Sequence, residues 1–417
     1  MRRAAILDGW PALVPALAVS VPVSSAVRDG DRVFLSAANA LGSDGSIRGL
    51  GDPAAQTEAA LDSLEAAMAA VGGSLAGITK LTTCLVDRAD RAAVYGTIAR
   101  RLPDVFPVST GLVVAGLPVP GLLVQIDAEA VVPDSGAILR HRRYETASWH
   151  GQGFAWQGAM VAAGGGEYFV RGQTGSNLDS GGLIAPGRRA EDAGEQAERA
   201  LSNLALVLGE AGSSLEDVAK ITVYISDRAY RPTVYPAIGR HFGTVRPVST
   251  GIVTTAFARP EILFELDVVA LARPDGRPHE RLRPYHSNAA RYGLAGQQLG
   301  CEFCMAVRSG RRVVLRGQTG VGLDEVLRGE GDAGAQARQA MDNVEALLGE
   351  AGACLSDVAK ATLYVTDRAF LEPASRAVLE RLAGVQPAFS ALVVKGLASP
   401  ELLMEVDVTA VLPEGRR

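Results

Sequence analysis

Pro107, Pro247 and Pro387 stand 140 residues apart, and the residues around them keep the same step. Asp87-Arg88, Asp227-Arg228 and Asp367-Arg368 repeat with it, as do Lys80, Lys220 and Lys360, and Gln56, Gln196 and Gln336. Periods of about twenty to fifty residues belong to solenoids and propellers. A step of 140 residues is the size of a whole small domain. The 417 residues therefore read as one domain written three times, over 1–135, 136–275 and 276–417. Three fused copies suggest a unit that would otherwise assemble as a homotrimer.

Composition narrows the function classes. A hydrophobic share of 47% with 21% charged residues suits a well-packed soluble protein. The net charge of −5, without a basic run, argues against a nucleic-acid partner. No stretch approaches the ~20 apolar residues of a membrane span. The start, Met1-Arg2-Arg3 and an apolar stretch to Val21, has the outline of a signal peptide. Asp8, Pro11 and Pro15 interrupt it, so the expected compartment is the cytoplasm. Cys84, Cys301, Cys304 and Cys354 do not form a disulfide framework in a chain of this size. Cys301-Glu-Phe-Cys304 has CxxC spacing, but no second CxxC or His pair accompanies it. It reads as part of a strand or hairpin, and no metal or cofactor is expected.

Repeat 2 shows the unit most clearly. Tyr168–Arg171 reads as a strand ended by the turn Gly172-Gln-Thr-Gly175. Glu195–Gly209 reads as a helix, with Ala197, Leu201, Leu204 and Leu208 on one face and Gly209 and Gly212 as the stop. The face recurs as Leu61, Leu64 and Met68 and as Met341, Val344 and Leu348. Ser214–Asp217 is a capped turn, Lys220–Ile225 a strand, Pro232–Phe242 a second helix, and Ser249–Thr255 and Ile262–Leu271 the closing strands. This order predicts an α+β unit with helices on one sheet face. Three units would bury their bare faces against one another as a β-barrel core with helices outside, leaving clefts at the seams.

These residues resemble the Rid (YjgF-type, reactive intermediate deaminase) family. The marks are Gly-Gln-Thr-Gly at 172–175 and 317–320, Gln336–Asn343, Asp357–Lys360, Tyr364–Asp367 and Pro400–Asp407. The resemblance covers about nine-tenths of the chain. It implies three tandem chorismate-mutase-like domains in a single-chain pseudo-trimer with three inter-repeat clefts. The activity implied is hydrolysis of reactive imines and enamines to ammonia and a 2-keto acid. That chemistry relies on an arginine two residues after a proline, which clamps the substrate carboxylate. The matching positions here are Ser109, Ser249 and Phe389. A family glutamate that positions water matches Glu265 and Glu405, but Gln125 in repeat 1. Repeat 1 also has Ala37-Ala38 in place of Gly-Gln, so at least one cleft is expected to be dismantled.

The candidate site follows. Glu265 and Glu405 are the catalytic candidates, as acid, base or water holder. Arg171 and Arg316, just before Gly172-Gln173 and Gly317-Gln318, are candidates for the missing guanidinium. The hydroxyls of Ser109, Ser249, Thr250 and Ser390 are candidate ligand contacts. None of the five His residues recurs, so a Ser/His/Asp triad has no support. Lys80, Lys220 and Lys360 sit where solvated lysines open a strand, though Ser–Lys dyads of cyclic-amide hydrolases offer another reading. Asp87-Arg88 and its copies read as local ion pairs. Two long leaders, 142–166 and 283–310, carry Tyr144, Trp149, His150, Trp156, Tyr285, His286 and Tyr292, which either roof a cleft or pack as hairpins.

The leading expectation is a small-molecule enzyme acting in one or two clefts on an imine, enamine or related carbonyl intermediate. The alternatives are a binding or scaffold protein that lost the chemistry, and a cyclic-amide hydrolase. Trimerisation of chains is unnecessary in a fused pseudo-trimer, although further self-association stays open.

Overall fold

The computed structural model describes residues 2–7, 21–133, 137–142, 158–178, 182–288 and 298–415. Met1, the stretch from Asp8 to Ser20, and Tyr144, Trp149, His150, Trp156 and Tyr292 lie outside these. Repeat 1 contains β1 (Arg3–Ala5), β2 (Ala26–Asp29), β3 (Arg32–Leu35), β4 (Ala38–Asn39), α1 (Pro53–Ala70), β5 (Ile78–Leu85), α2 (Arg91–Arg101), β6 (Val108–Val113) and β7 (Val124–Val131). Repeat 2 contains β8 (Leu139–His141), β9 (Val161–Gly164), β10 (Glu167–Val170), β11 (Gln173–Thr174), α3 (Ala190–Glu210), β12 (Val218–Ile225), α4 (Arg231–Phe242), β13 (Val248–Val253) and β14 (Phe264–Leu271). Repeat 3 contains β15 (Glu280–Asn288), β16 (Gln298–Ser309), β17 (Arg312–Leu315), α5 (Ala333–Glu350), β18 (Val358–Val365), α6 (Leu371–Arg381), β19 (Ala388–Val393) and β20 (Met404–Val411).

Each repeat builds one sheet, ordered β1-β2-β3-β7-β5-β6, β8-β9-β10-β14-β12-β13 and β15-β16-β17-β20-β18-β19. Among the described strands, β5–β6, β12–β13 and β18–β19 pair in parallel, each pair joined through the second helix of its repeat. Asp52 caps α1 by accepting from Ala54 and Ala55, with Pro53 in the first turn. Gly72, Gly212 and Gly352, at φ 77, 80 and 73°, end the three long helices where a side chain would be strained. Leu61, Leu64 and Met68, and their counterparts in α3 and α5, are fully buried against the sheets. Each such side chain contributes about 1.5–3 kcal/mol.

The repeated glutamines hold a turn. Gln56, Gln196 and Gln336 donate to the carbonyls of Gly121, Glu261 and Glu401 at 2.9, 2.8 and 2.8 Å. They accept from the N–H groups of Leu123, Leu263 and Leu403, which fixes the entry to β7, β14 and β20. Phe106, Arg246 and Gln386, each before a repeated proline, adopt left-handed φ of 49, 51 and 53°. A residue before proline is restricted already, so each turn stores strain of order 1 kcal/mol. These turns deliver position 109, 249 or 389 to the seam with the next repeat.

Among the described residues the strands form three separate sheets, and the expected single closed barrel is not found. Isolated bridges Val113–Ala256, Val253–Gly396 and Gly116–Val393 link them in a cycle. The Asp-Arg pairs are also corrected. Asp87 accepts from Ala89 N–H as a cap, while Arg88 Nε donates to Phe257 O of the next repeat. Arg228 reaches Leu397 O and Arg368 reaches Leu117 O in the same way, so the arginines are clasps between repeats.

Candidate functional site

At each seam a lysine meets an aspartate of the adjoining repeat: Lys80 with Asp267, Lys220 with Asp407 at 2.7 Å, and Lys360 with Asp127. Thr110, Thr250 and Ser390 donate to the same carboxylates at 3.0, 2.5 and 2.5 Å. The solvated-lysine reading is overturned, because Lys80 and Lys220 are only 3% and 7% exposed. The strand each lysine opens is covered by another repeat, which the local sequence does not reveal. The hydroxyls donate to a carboxylate already holding the lysine, an arrangement unlike a Ser–Lys nucleophile pair. These groups line an axial cavity of ≈ 130 Å³ in which five cationic and five anionic side chains balance.

Outward from this axis, two seams carry a shared chemical set. Between repeats 1 and 2, α2 supplies Arg91 and Tyr95, β6 supplies Ser109, the end of β10 supplies Arg171, and β14 supplies Glu265. The Gly172 N–H donates to Ser109 O at 3.2 Å, Tyr95 Oη lies 3.4 Å from Ser109 Oγ, and Arg91 stacks on the Tyr95 ring at 4.7 Å. Burial pushes Glu265 up to about 8, helped by Asp267 and opposed by Arg171, Arg91 and Lys80. Burial pushes Arg171 down to about 10, so it stays cationic at neutral pH.

Between repeats 2 and 3 the set is Arg231, Tyr235, Ser249, Arg316 and Glu405, around a narrow cavity of ≈ 30 Å³. Arg231 Nη1 donates to Tyr235 Oη at 3.0 Å and stacks on its ring at 4.4 Å. Burial, then Asp407, pushes Glu405 up to about 8, against Arg316, Lys220 and Arg231. Tyr285 and Phe303 of the repeat 3 leader complete the wall. A Cβ on Gly172 or Gly317 would run into the carboxyl of Glu265 or Glu405, so glycine there makes room for the acid.

The seam between repeats 3 and 1 has lost the whole set. At the positions of Arg231, Tyr235, Ser249, Gly251, Arg316, Gly317 and Glu405 stand Leu371, Ser375, Phe389, Ala391, Ser36, Ala37 and Gln125. Phe389 is 2% exposed and plugs the space. The Phe389 N–H donates to Ser36 Oγ at 2.7 Å, Ala37 N–H to Ser390 Oγ at 3.1 Å, and Gln125 Nε2 to Ala391 O at 3.0 Å. The substitutions fit one another: a Cβ on Gly251 would meet Tyr235 Oη at 2.7 Å, whereas in repeat 3 Ala391 goes with Ser375 at the tyrosine position.

Comparison with known proteins agrees with the triplication. A sequence model of the family described as Endoribonuclease L-PSP matches residues 14–132, 159–272 and 300–412. The chain belongs to this family. Among its relatives, a RutC family protein of Pyrococcus abyssi is 28% identical over 102 residues, 24% of this chain and 76% of that protein. A RutC family protein of Synechocystis is 34% identical over 76 residues, 18% of this chain and 58% of that one. Rv2704 of Mycobacterium tuberculosis, a solved member of the YjgF/YER057c/UK114 family, is 29% identical, covering 32% of this chain and 99% of that chain, with TM-score 0.26. A solved chorismatase covers 81% of this chain and 93% of its own at TM-score 0.51 and 14% identity, a likeness of fold over most of the chain.

For this Endoribonuclease L-PSP family member, the sequence candidates fall into two groups. Glu265, Arg171, Gly172 and Ser109 meet at one seam, and Glu405, Arg316, Gly317 and Ser249 at the next. Gln173 and Gln318 turn back, each donating to the carbonyl of Arg171 or Arg316 at 2.7 Å. Thr250 and Ser390 are held by Asp407 and Asp127, and Ser390 lies in the plugged seam. Sequence reasoning missed Arg91, Tyr95, Arg231 and Tyr235. Their signal was available: an Arg-x₃-Tyr spacing repeats 140 residues apart in repeats 1 and 2 and breaks to Leu371 and Ser375 in repeat 3. Cys84, Cys301 and Cys304 are buried free thiols, and burial pushes Cys301 and Cys304 up to about 12. Among the described residues no group of three or more His, Cys, Asp or Glu could hold a metal, and no helix is long and apolar enough to cross a membrane.

Proposed function

We propose that the chain is a small-molecule enzyme working by acid–base chemistry in the two clefts that keep the set, on an anionic imine, enamine or related carbonyl intermediate. The arrangement that carries this reading is a carboxyl, Glu265 or Glu405, buried at 5% exposure beside arginines, where burial pushes it up to about 8. A neutral acid can donate to a substrate nitrogen, and the carboxylate it becomes can take a proton from water. Arginine holds the substrate carboxylate, and Ser109 or Ser249 orients the water. For a 2-imino acid, protonation of the nitrogen and addition of water give a carbinolamine, which releases ammonia and leaves the 2-keto acid. The guanidinium thus arrives from α2 or α4 and from a strand end, instead of from position 109 or 249.

A scaffold role would favour plugged clefts throughout, whereas the seam between repeats 2 and 3 keeps a cavity lined by Arg231, Arg316 and Glu405. The family description names an endoribonuclease, but two arginines within a ≈ 30 Å³ cleft suit a small anion better than a polynucleotide. A second reading comes from the chorismatase likeness, which spans 81% of the chain and so all three repeats in one architecture. Chorismate is the second substrate to test. The assay follows ammonia and 2-keto acid from freshly generated 2-imino acids, and chorismate consumption in parallel, for the parent, Glu265→Gln, Glu405→Gln and the double variant. Removal of both acids should lower turnover by about 10²–10⁴-fold. A parent protein inactive on both substrates, or a double variant as fast as the parent, would sink the reading.

A further inference from the structure

Resting on the reading that the seam between repeats 2 and 3 is a working cleft, we infer that Tyr235 determines its specificity. The Tyr235 O–H donates to a carboxylate oxygen of the ligand, and Tyr95 does the same between repeats 1 and 2. Three polar groups converge on the cavity: Tyr235 Oη, Ser249 Oγ and the Glu405 carboxyl, on residues 3%, 7% and 5% exposed. Among the described residues neither Ser249 Oγ nor the Glu405 carboxyl makes a hydrogen bond. The Tyr235 hydroxyl has one, from Arg231 Nη1 at 3.0 Å. A guanidinium has donors and no acceptor, so the phenol oxygen accepts there and its own proton is left for another partner. Buried polar groups are ordinarily paired within the protein. Three that meet at one cavity mark a place for a polar ligand.

Arg231 also polarises this donor. It hydrogen-bonds the phenol oxygen and stacks on the ring at 4.4 Å. A hydroxyl that accepts from a cation becomes a stronger donor and a weaker acceptor. Such a hydroxyl suits an anionic oxygen and matches an amide N–H poorly. Glycine at 251 makes the pair possible, since a Cβ there would meet Tyr235 Oη at 2.7 Å and Arg231 Nη1 at 3.0 Å. A Cβ on Gly111 would likewise run into the Tyr95 hydroxyl, which lies 3.4 Å from Ser109 Oγ.

Repeat 3 separates packing from ligand binding. Gln336 keeps its turn, and Lys360, Asp127 and Ser390 keep their seam contacts, as their counterparts do elsewhere. Arginine, tyrosine, glycine and glutamate are lost together, to Leu371, Ser375, Ala391 and Gln125. Ser375 shows a hydroxyl at this position without the guanidinium: its Oγ is buried with no partner among the described residues. The tyrosine goes where the acid goes, whereas the groups that hold the seams together stay.

Calorimetric titration of the full chain at pH 7 with pyruvate and with pyruvamide, its neutral amide, tests this. The parent should bind pyruvate at least about tenfold tighter. Tyr95→Phe/Tyr235→Phe keeps both rings and removes both hydroxyls. It should weaken pyruvate about 10–100-fold, the range of one hydrogen bond to a charged group, and pyruvamide by less than about threefold. Should the double variant fail to fold, Tyr235→Phe alone with a two-site fit reads the one cleft. In the imino-acid assay the tyrosine variant should raise KM with kcat little changed, whereas Glu265→Gln/Glu405→Gln lowers kcat. Equal affinity of the parent for the two probes, unchanged pyruvate affinity in the folded variant, or equal losses for both probes would overturn the inference. So would the absence of binding of either probe at millimolar concentration. A parent without turnover that still prefers pyruvate through these tyrosines would instead remove the proposed chemistry and leave this selectivity standing.

Discussion

Replacing Glu405 with glutamine tests the buried acid without any substrate, since the amide keeps the shape and has no proton to lose at these pH values. In the folded chain burial, then Asp407, pushes this carboxyl up to about 8, from an ordinary value of 4.5. A carboxyl raised on folding holds its proton more tightly in the native than in the unfolded chain. Stability therefore falls as pH climbs between those two values, and the cost is complete only above the folded one. A gap of about 3.5 pH units, at about 1.4 kcal/mol per unit, sets an upper bound of about 5 kcal/mol. Water entry and relaxation reduce the penalty of a buried ion, so about 2–5 kcal/mol is the expected range. Urea unfolding of parent and Glu405→Gln at pH 6, 7, 8 and 9 reads it directly. The parent should lose up to about 3 kcal/mol relative to the variant between pH 6 and 9, because only about 2 of those pH units lie above pH 6, with the steepest loss below pH 8. A Glu265→Gln/Glu405→Gln chain should flatten the profile about twice as much. Parallel pH profiles for parent and variant would refute the protonated acid, and with it the proton donor of the proposed mechanism.

Lys220→Met should cost about 3–5 kcal/mol in urea unfolding, because it leaves Asp407, whose side chain is only 13% exposed, without its cation; a loss below about 1 kcal/mol would show that the pair is water-screened. Gly251→Ala should displace Tyr235, whose hydroxyl would lie 2.7 Å from the new Cβ, and lower Tm through about 1–3 kcal/mol of overpacking. Adding Tyr235→Ser should restore the Tm, as the Ser375–Ala391 pairing of repeat 3 indicates, while abolishing ligand binding in that cleft. Gln336→Leu should strand the Glu401 carbonyl and the Leu403 N–H, costing about 1–3 kcal/mol per group by chemical unfolding.

The fold was legible because its determinants recur. The apolar helix faces, the turn glycines and the three glutamines each appear three times, and each does one local job within its own repeat. Glu265 with Arg171, and Glu405 with Arg316, were legible through resemblance and through their absence from repeat 1. Groups whose role arises across a seam were harder to read. Lys80 looks solvated beside its own sequence, yet its partner Asp267 lies 187 residues away. Arg231 looks like an ordinary first-turn arginine of a surface helix, one among 41 Lys and Arg, until Leu371 is seen in its place. Arg228 suggested an ion pair with Asp227, yet its hydrogen bond goes to Leu397 O of another repeat. Periodicity thus exposes what a unit does for itself. Departures from it expose what one unit does for the next.

The axis explains why such departures depend on fusion. Arg32, Glu167 and Arg312 open equivalent strands, each paired with the last strand of its own sheet. They converge on one point: Glu167 takes Arg32 at 2.7 Å and Arg312 at 3.5 Å, and Arg32 also meets Glu129. In a trimer of identical chains this position would hold three arginines or three glutamates, and like charges buried together are destabilising. One chain can place an arginine, a glutamate and an arginine there, which turns a symmetric repulsion into two attractions. The same freedom lets Phe389 plug one seam while two others retain their acids, something identical subunits cannot do. Arg32→Glu would restore like charge beside Glu167 and Glu129 at 3% exposure, so it should unfold the chain or open the ring of repeats. Because the seams meet at this axis, asymmetry in the charges and asymmetry in the clefts have one physical origin.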